Sequence, residues 1–158
     1  MSDRIGSCLC GAVQYHVYGE PLIARICWCS TCQKISANGT VNAIFPSAAI
    51  DVTGTMSSFS SEADSGNVIA RYFCPTCGCH LFANSSANTE FRVVRVGTLR
   101  DPSSVKPDLN MWTSSAPAWA CMDPEIKVES HQPAAMQPKQ APPSAASYLD
   151  PTVSKGPK

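Results

Sequence analysis

The chain has 158 residues, 44% of them hydrophobic, which suits one domain with a core and is too few for two generous ones. Twelve basic residues balance twelve acidic ones without any Lys/Arg cluster, so the electrostatic footprint of a nucleic-acid or membrane-surface binder is excluded and a small-molecule partner is expected. No apolar run approaches bilayer-spanning length and Met1 to Cys8 lacks the apolar core of a secretory leader; a soluble, cytoplasmic location is therefore expected, where nine cysteines stay reduced.

Cysteines punctuate the chain from its start. Cys8-Leu9-Cys10 places two thiols one residue apart, too close for an unstrained disulfide. Residues 12–18 then alternate, with Val13, Tyr15 and Val17 on one face and Gln14, His16 and Tyr18 on the other, the period of a strand. Gly19-Glu20-Pro21 ends it, and the short apolar run 22–26 delivers the chain into Cys27-Trp28-Cys29-Ser30-Thr31-Cys32, read as a strand end or turn. Residues 34–39 carry no long amphipathic pattern. Residues 41–45 read as a strand stopped by Pro46, and residues 50–54 alternate again.

Beyond a Ser/Thr-rich stretch at 56–61, the polar residues 60–67 predict a hairpin connection. Residues 68–73 form a strand running into Cys74-Pro75-Thr76-Cys77-Gly78, the form of a zinc knuckle, and residues 80–83 return from it. Residues 91–97 are the last clear strand. Residues 111–119 lack periodicity and read as an ordered loop, in which Trp112 and Trp119 fill core first and wall a pocket second. From Pro133 onward six of the thirteen prolines fall among Ala, Ser, Gln and Lys. The expected organisation is one zinc-binding domain over 1–132 and a disordered tail over 133–158.

The thiols group into two metal sites. Cys8, Cys10, Cys74 and Cys77 supply the four ligands of a closed structural zinc, stapling distant parts of the sheet. Cys27, Cys29 and Cys32 supply three, the count at which zinc keeps a position open to polarise a carbonyl or activate a nucleophile. Cys79, His80 or Cys121 stands as the alternative fourth ligand that would close this site. Redox chemistry at Cys29-Ser30-Thr31-Cys32 ranks third, because that motif is expected at a helix start within a βαβ unit and no such pattern surrounds it. His16 and His131 read as surface residues, and His80 as pocket lining or support for the knuckle.

Four stretches carry a family resemblance: residues 7–13, residues 27–34, residues 73–82 and Met111-Trp112-Thr113-Ser114-Ser115. Together they resemble the glutathione-dependent formaldehyde-activating enzymes, whose domain is shared with centromere protein V. The match covers about residues 4–125 in the right order. It implies a mainly β fold, a β-tent of the Mss4-like type. It further implies a structural zinc at Cys8, Cys10, Cys74 and Cys77, and a catalytic zinc at Cys27, Cys29 and Cys32. The implied reaction is a carbon–sulfur lyase's, condensing formaldehyde with glutathione to S-(hydroxymethyl)glutathione.

Trp28 replaces a His common in the family, Cys79 a small or hydroxyl residue, and Cys121 has no counterpart. Trp28, Lys34, His80 and Trp112 are the substrate-pocket candidates, with Trp28 making the rim more apolar and Lys34 or Arg71 able to meet a carboxylate. Two other readings are an enzyme of this scaffold recruited to a different small-molecule pathway, and a non-catalytic carrier of glutathione or a thiol conjugate.

Overall fold

The computed structural model describes residues 3–133. The strands are β1 (Arg4–Ser7), β2 (Gln14–Val17), β3 (Ile23–Cys27), β4 (Thr40–Pro46), β5 (Ile50–Thr53), β6 (Ser57–Glu62), β7 (Val68–Phe73), β8 (His80–Ser85), β9 (Asn88–Arg95), β10 (Leu109–Met111) and β11 (Lys127–Val128). A single α-helix among the described residues, α1 (Ser30–Ser36), joins β3 to β4. The fold is thus mainly β, as the alternating segments predict.

The strands form two sheets. The smaller has the order β1-β2-β5, and the larger β11-β10-β3-β4-β9-β8-β7-β6. Pairings are antiparallel except at one edge, where β10 runs parallel to both β3 and β11. The core lies where the sheets face each other. Val13, Tyr15 and Val17 are buried, as the alternation of residues 12–18 requires, and they join Ala43, Phe45, Val94, Leu81 and Phe82 of the larger sheet in one cluster. Tyr15 meets Phe82 edge-on at 4.9 Å between ring centroids.

Register decides what the other face of the large sheet carries. Ala24, Ala43, Val94, Phe82 and Tyr72 are successive cross-strand partners and are buried in this core. Side chains alternate along a strand, so the next row, in which Arg25 pairs with Asn42 and Asn42 with Arg95, points the opposite way. Cys27, two residues after Arg25, shares that second face, as does Thr40 opposite it.

The structure departs from the sequence expectations at four places. Residues 30–36 are helical, a length too short to show an amphipathic period. Residues 57–62 are the edge strand β6, whose Ser-rich, half-exposed pattern hides strand alternation; only residues 63–67 are left as the connection. Met111 belongs to a strand whose three residues are all buried, so no polar face signals it. Trp119 is 68% exposed and fills no core. The tail expected at 133–158 lies outside the described residues, apart from Pro133.

Candidate metal centres and the cavity beside them

Two tight turns build the first thiol group. Cys8 follows β1, and the turn after it closes through Gly11 N–H donating to the Cys8 carbonyl at 3.2 Å. Cys74 follows β7, and Gly78 N–H donates to the Cys74 carbonyl at 2.9 Å. Gly11 and Gly78 both hold positive φ, at 79° and 71°, which glycine adopts without steric cost.

The turns bring Cys8, Cys10, Cys74 and Cys77 together, with all four sulfurs within 4.8 Å of one another. Tetrahedral zinc with bonds of about 2.3 Å places its sulfurs roughly 3.8 Å apart. The Cys8–Cys10 and Cys10–Cys74 Sγ separations are 3.6 and 3.7 Å. The donor set therefore fits such an ion. Backbone N–H groups also favour thiolate here: Val13 N–H donates to Cys8 Sγ at 3.2 Å, and the Cys8 thiol is lowered despite the opposing effect of its burial. Hydrogen bonds from the Cys79 and Cys10 backbone bring Cys77 down to about 6.

The second group is Cys27, Cys29 and Cys32, again with all sulfurs within 4.8 Å. Cys27 ends β3 and is buried, Cys29 caps α1, and Cys32 lies in its first turn. The cap is a side-chain one, with Cys32 N–H donating to Cys29 Sγ at 3.4 Å. The C-x-x-C motif thus does open a helix. Because β3 and β4 pair antiparallel, that helix caps a turn and is not the crossover of a βαβ unit. The three thiols share charge unequally: Cys27 is raised, foremost through Cys29 and Cys32, whereas Cys32 is lowered by Cys27, by Cys29 and then by Arg95. Three soft donors around one stabilised thiolate suit a thiophilic cation.

No fourth His, Cys, Asp or Glu joins this group among the described residues. Cys79 packs instead against the main core and Cys121 is exposed, so neither expected alternative closes the site. His80 belongs to neither thiol group.

The pocket candidates separate. Trp112 is half-buried against the second thiol group, its ring edge-on to His131 at 5.5 Å. His80 lines a cavity of about 310 Å³ with Ile35, Ser36, Gly39, Thr40, Val41, Arg95 and Gly97. Its ring is held below the usual histidine value by burial and then by Arg95 and Arg71. Lys34 is exposed on α1. Trp28, expected at the rim, is enclosed at 4% exposure and forms no rim. Its indole Nε1 donates to Asn110 Oδ1 at 3.0 Å.

Nothing in the sequence marks Arg95 as a site residue. It is 6% exposed, and Nη1 donates to Asn42 Oδ1 at 2.6 Å and reaches Cys32 Sγ at 3.9 Å. The alternation of residues 91–97 could have put Arg95 on the same face as Val93, but only register across three strands puts it beside Cys32.

The sequence model for glutathione-dependent formaldehyde-activating enzymes matches residues 3–115, which contain both thiol groups, Arg95 and Trp112. The chain belongs to this family. Its matched region takes in every strand up to β10, while β11 lies beyond it. No curated protein matches the chain. Among solved structures, a Rhodobacter sphaeroides protein from a structural genomics programme is similar, with 26% identity and a TM-score of 0.50 over 65% of this chain and 91% of its own.

Proposed function

We propose that this family member is a zinc-dependent catalyst of carbon–sulfur lyase type, joining a thiol to a small carbonyl in the manner of S-(hydroxymethyl)glutathione synthase. The observation that carries the reading is the contrast between the thiol groups: one offers four sulfurs and the other three. Four thiolates complete the tetrahedron of a structural zinc, whereas three leave a position for a reactant. In this reading Cys8, Cys10, Cys74 and Cys77 hold the structural ion, and Cys27, Cys29 and Cys32 hold the second one.

A bound zinc there supplies Lewis acidity toward a carbonyl oxygen or a thiol sulfur. The chain does the rest. Cys27, Cys29 and Cys32 fix the position of the reacting atoms at the mouth of α1, and Trp112 shields one side of the group from water. Arg95 presents a guanidinium 3.9 Å from Cys32, where negative charge develops as a carbonyl becomes an alkoxide. The thiol proton ends on that oxygen. Glutathione is the thiol the family suggests, and the cytoplasm the compartment that supplies it.

Carbon-13 NMR exchange between labelled formaldehyde and glutathione tests the reading. Zinc-loaded protein is expected to accelerate exchange, and Cys29→Ser to abolish the effect without unfolding, because serine is itself a favoured helix cap. Glutathione affinity by calorimetry without any acceleration would select a carrier instead.

A further inference from the structure

The second face of the large sheet gathers buried cations. Arg95 is 6% and Arg71 7% exposed, and neither forms an ion pair with a carboxylate among the described residues. Arg71 Nη1 is held by Ser61 Oγ at 2.9 Å and by the Ile69 carbonyl at 3.1 Å. Arg95 spends Nη1 on Asn42 and Cys32, while its buried Nε–H has no acceptor among the described residues. His80 Nδ1, on the same cavity, is likewise buried without a partner. Buried charges and donors are costly unless compensated. A dication held by three thiolates would leave a single negative charge there, fewer than the guanidiniums this face carries.

Arg95 and His80 both line the cavity of about 310 Å³, so an anion entering it would lie beside two residues that each carry a buried, uncompensated ring or guanidinium nitrogen. The distance to the thiols then limits what that anion is. Arg95 Nη1 lies 3.9 Å from Cys32 Sγ, so a carboxylate held by this guanidinium would lie close to the thiol group, and a short acid whose carbonyl adjoins its carboxylate suits that spacing. In a 2-oxo acid the carboxylate is bonded directly to the carbonyl carbon.

We propose that Arg95, with His80 beside it in the cavity, binds the carboxylate of the carbonyl substrate, which is a small 2-oxo acid of the glyoxylate type. This rests on the thiol-to-carbonyl addition proposed above. The step balances without an oxidant. The thiol sulfur bonds to the carbonyl carbon, the π pair moves to oxygen, that oxygen takes the thiol proton, and the carboxylate is unchanged. Formaldehyde has the carbonyl oxygen but no carboxylate for Arg95 to hold.

Titration of zinc-loaded full-length protein with oxamate, an unreactive 2-oxo acid isostere, tests the subsite directly. The Arg95 Nε–H resonance is expected to move saturably with oxamate and to stay still with neutral acetamide. It is assigned by its loss in Arg95→Lys or, if that variant does not fold, by connection to the Arg95 backbone amide. Arg95→Lys, lacking the planar fork, should weaken oxamate binding about tenfold at unchanged zinc content. In the carbon-13 assay the preference for glyoxylate over formaldehyde should fall by a similar factor. A stationary Nε–H resonance, or wild-type preference for formaldehyde, would overturn the subsite. Accelerated formaldehyde addition without oxamate binding would do so while leaving the reaction standing; oxamate binding without acceleration of any carbonyl would leave the subsite and overturn the reaction.

Discussion

His80 shows how a single side chain is set by what surrounds it. Burial first, then the nearby Arg95 and Arg71 guanidiniums, disfavour its protonated form. An unfolded chain frees the imidazole to titrate near its ordinary value of 6.5. Below that value the unfolded state takes up more protons, so the contribution of neutral His80 is intact above 6.5 and is lost as pH falls toward its lower folded value. Wild-type protein is therefore expected to lose its thermal advantage over His80→Gln on acidification from about pH 7.5 to pH 5.5. Melting curves of the two at matched zinc content measure this. A difference in melting temperature that is flat across that range would contradict the assignment.

At the scale of elements, α1 and the start of β4 are positioned by Trp28. Its ring lies under Gly39, where a β-carbon would come within 2.8 Å of the indole Cε2 and 2.9 Å of Cδ2. The ring is pinned by its bond to Asn110 in β10, and Gln33 Nε2 in α1 donates to the Trp28 carbonyl at 2.6 Å. Neither side can give way easily. Gly39→Ala is expected to destabilise the protein by about 1–3 kcal/mol through overpacking. Because α1 carries Cys32, the same change should loosen zinc at the second thiol group more than at the first. Denaturant unfolding and zinc stoichiometry check both, and equal retention with unchanged stability would show that α1 is not seated on Trp28.

For the whole molecule, the two thiol groups have different reach. Cys8 and Cys10 follow the first strand of the small sheet, whereas Cys74 and Cys77 follow β7 of the large one, so one ion there ties the sheets together across the chain. Cys27, Cys29 and Cys32 span six residues between neighbouring strands and tie nothing distant. Structural zinc contributes on the order of 10 kcal/mol in small modules. Graded chelation is therefore expected to strip the second thiol group first, with the activity proposed for it, and to unfold the protein later. Cys74→Ser should prevent folding while Cys32→Ser leaves it intact, as circular dichroism and zinc analysis would report. Equal loss of structure in both variants would remove the division of labour.

Much of this was legible in the sequence. Close cysteine spacing puts sulfurs near one another whatever the fold, and strict alternation in residues 12–18 announces a strand, because a sheet with one buried face imposes a period of two. The three thiol motifs and their order were enough to indicate the family. What required tertiary structure were features that leave no local period. A seven-residue helix, a fully enclosed three-residue strand and the burial of Trp28 have no periodic signature. Arg25, Asn42 and Arg95 come from three strands and become neighbours only through register. The residues 27–32 determined that a metal could be held between β3 and α1. Only the pairing of β4 with β9 decided that a buried guanidinium would lie beside it, since cross-strand contacts depend on chain segments that do not know of each other until they pair.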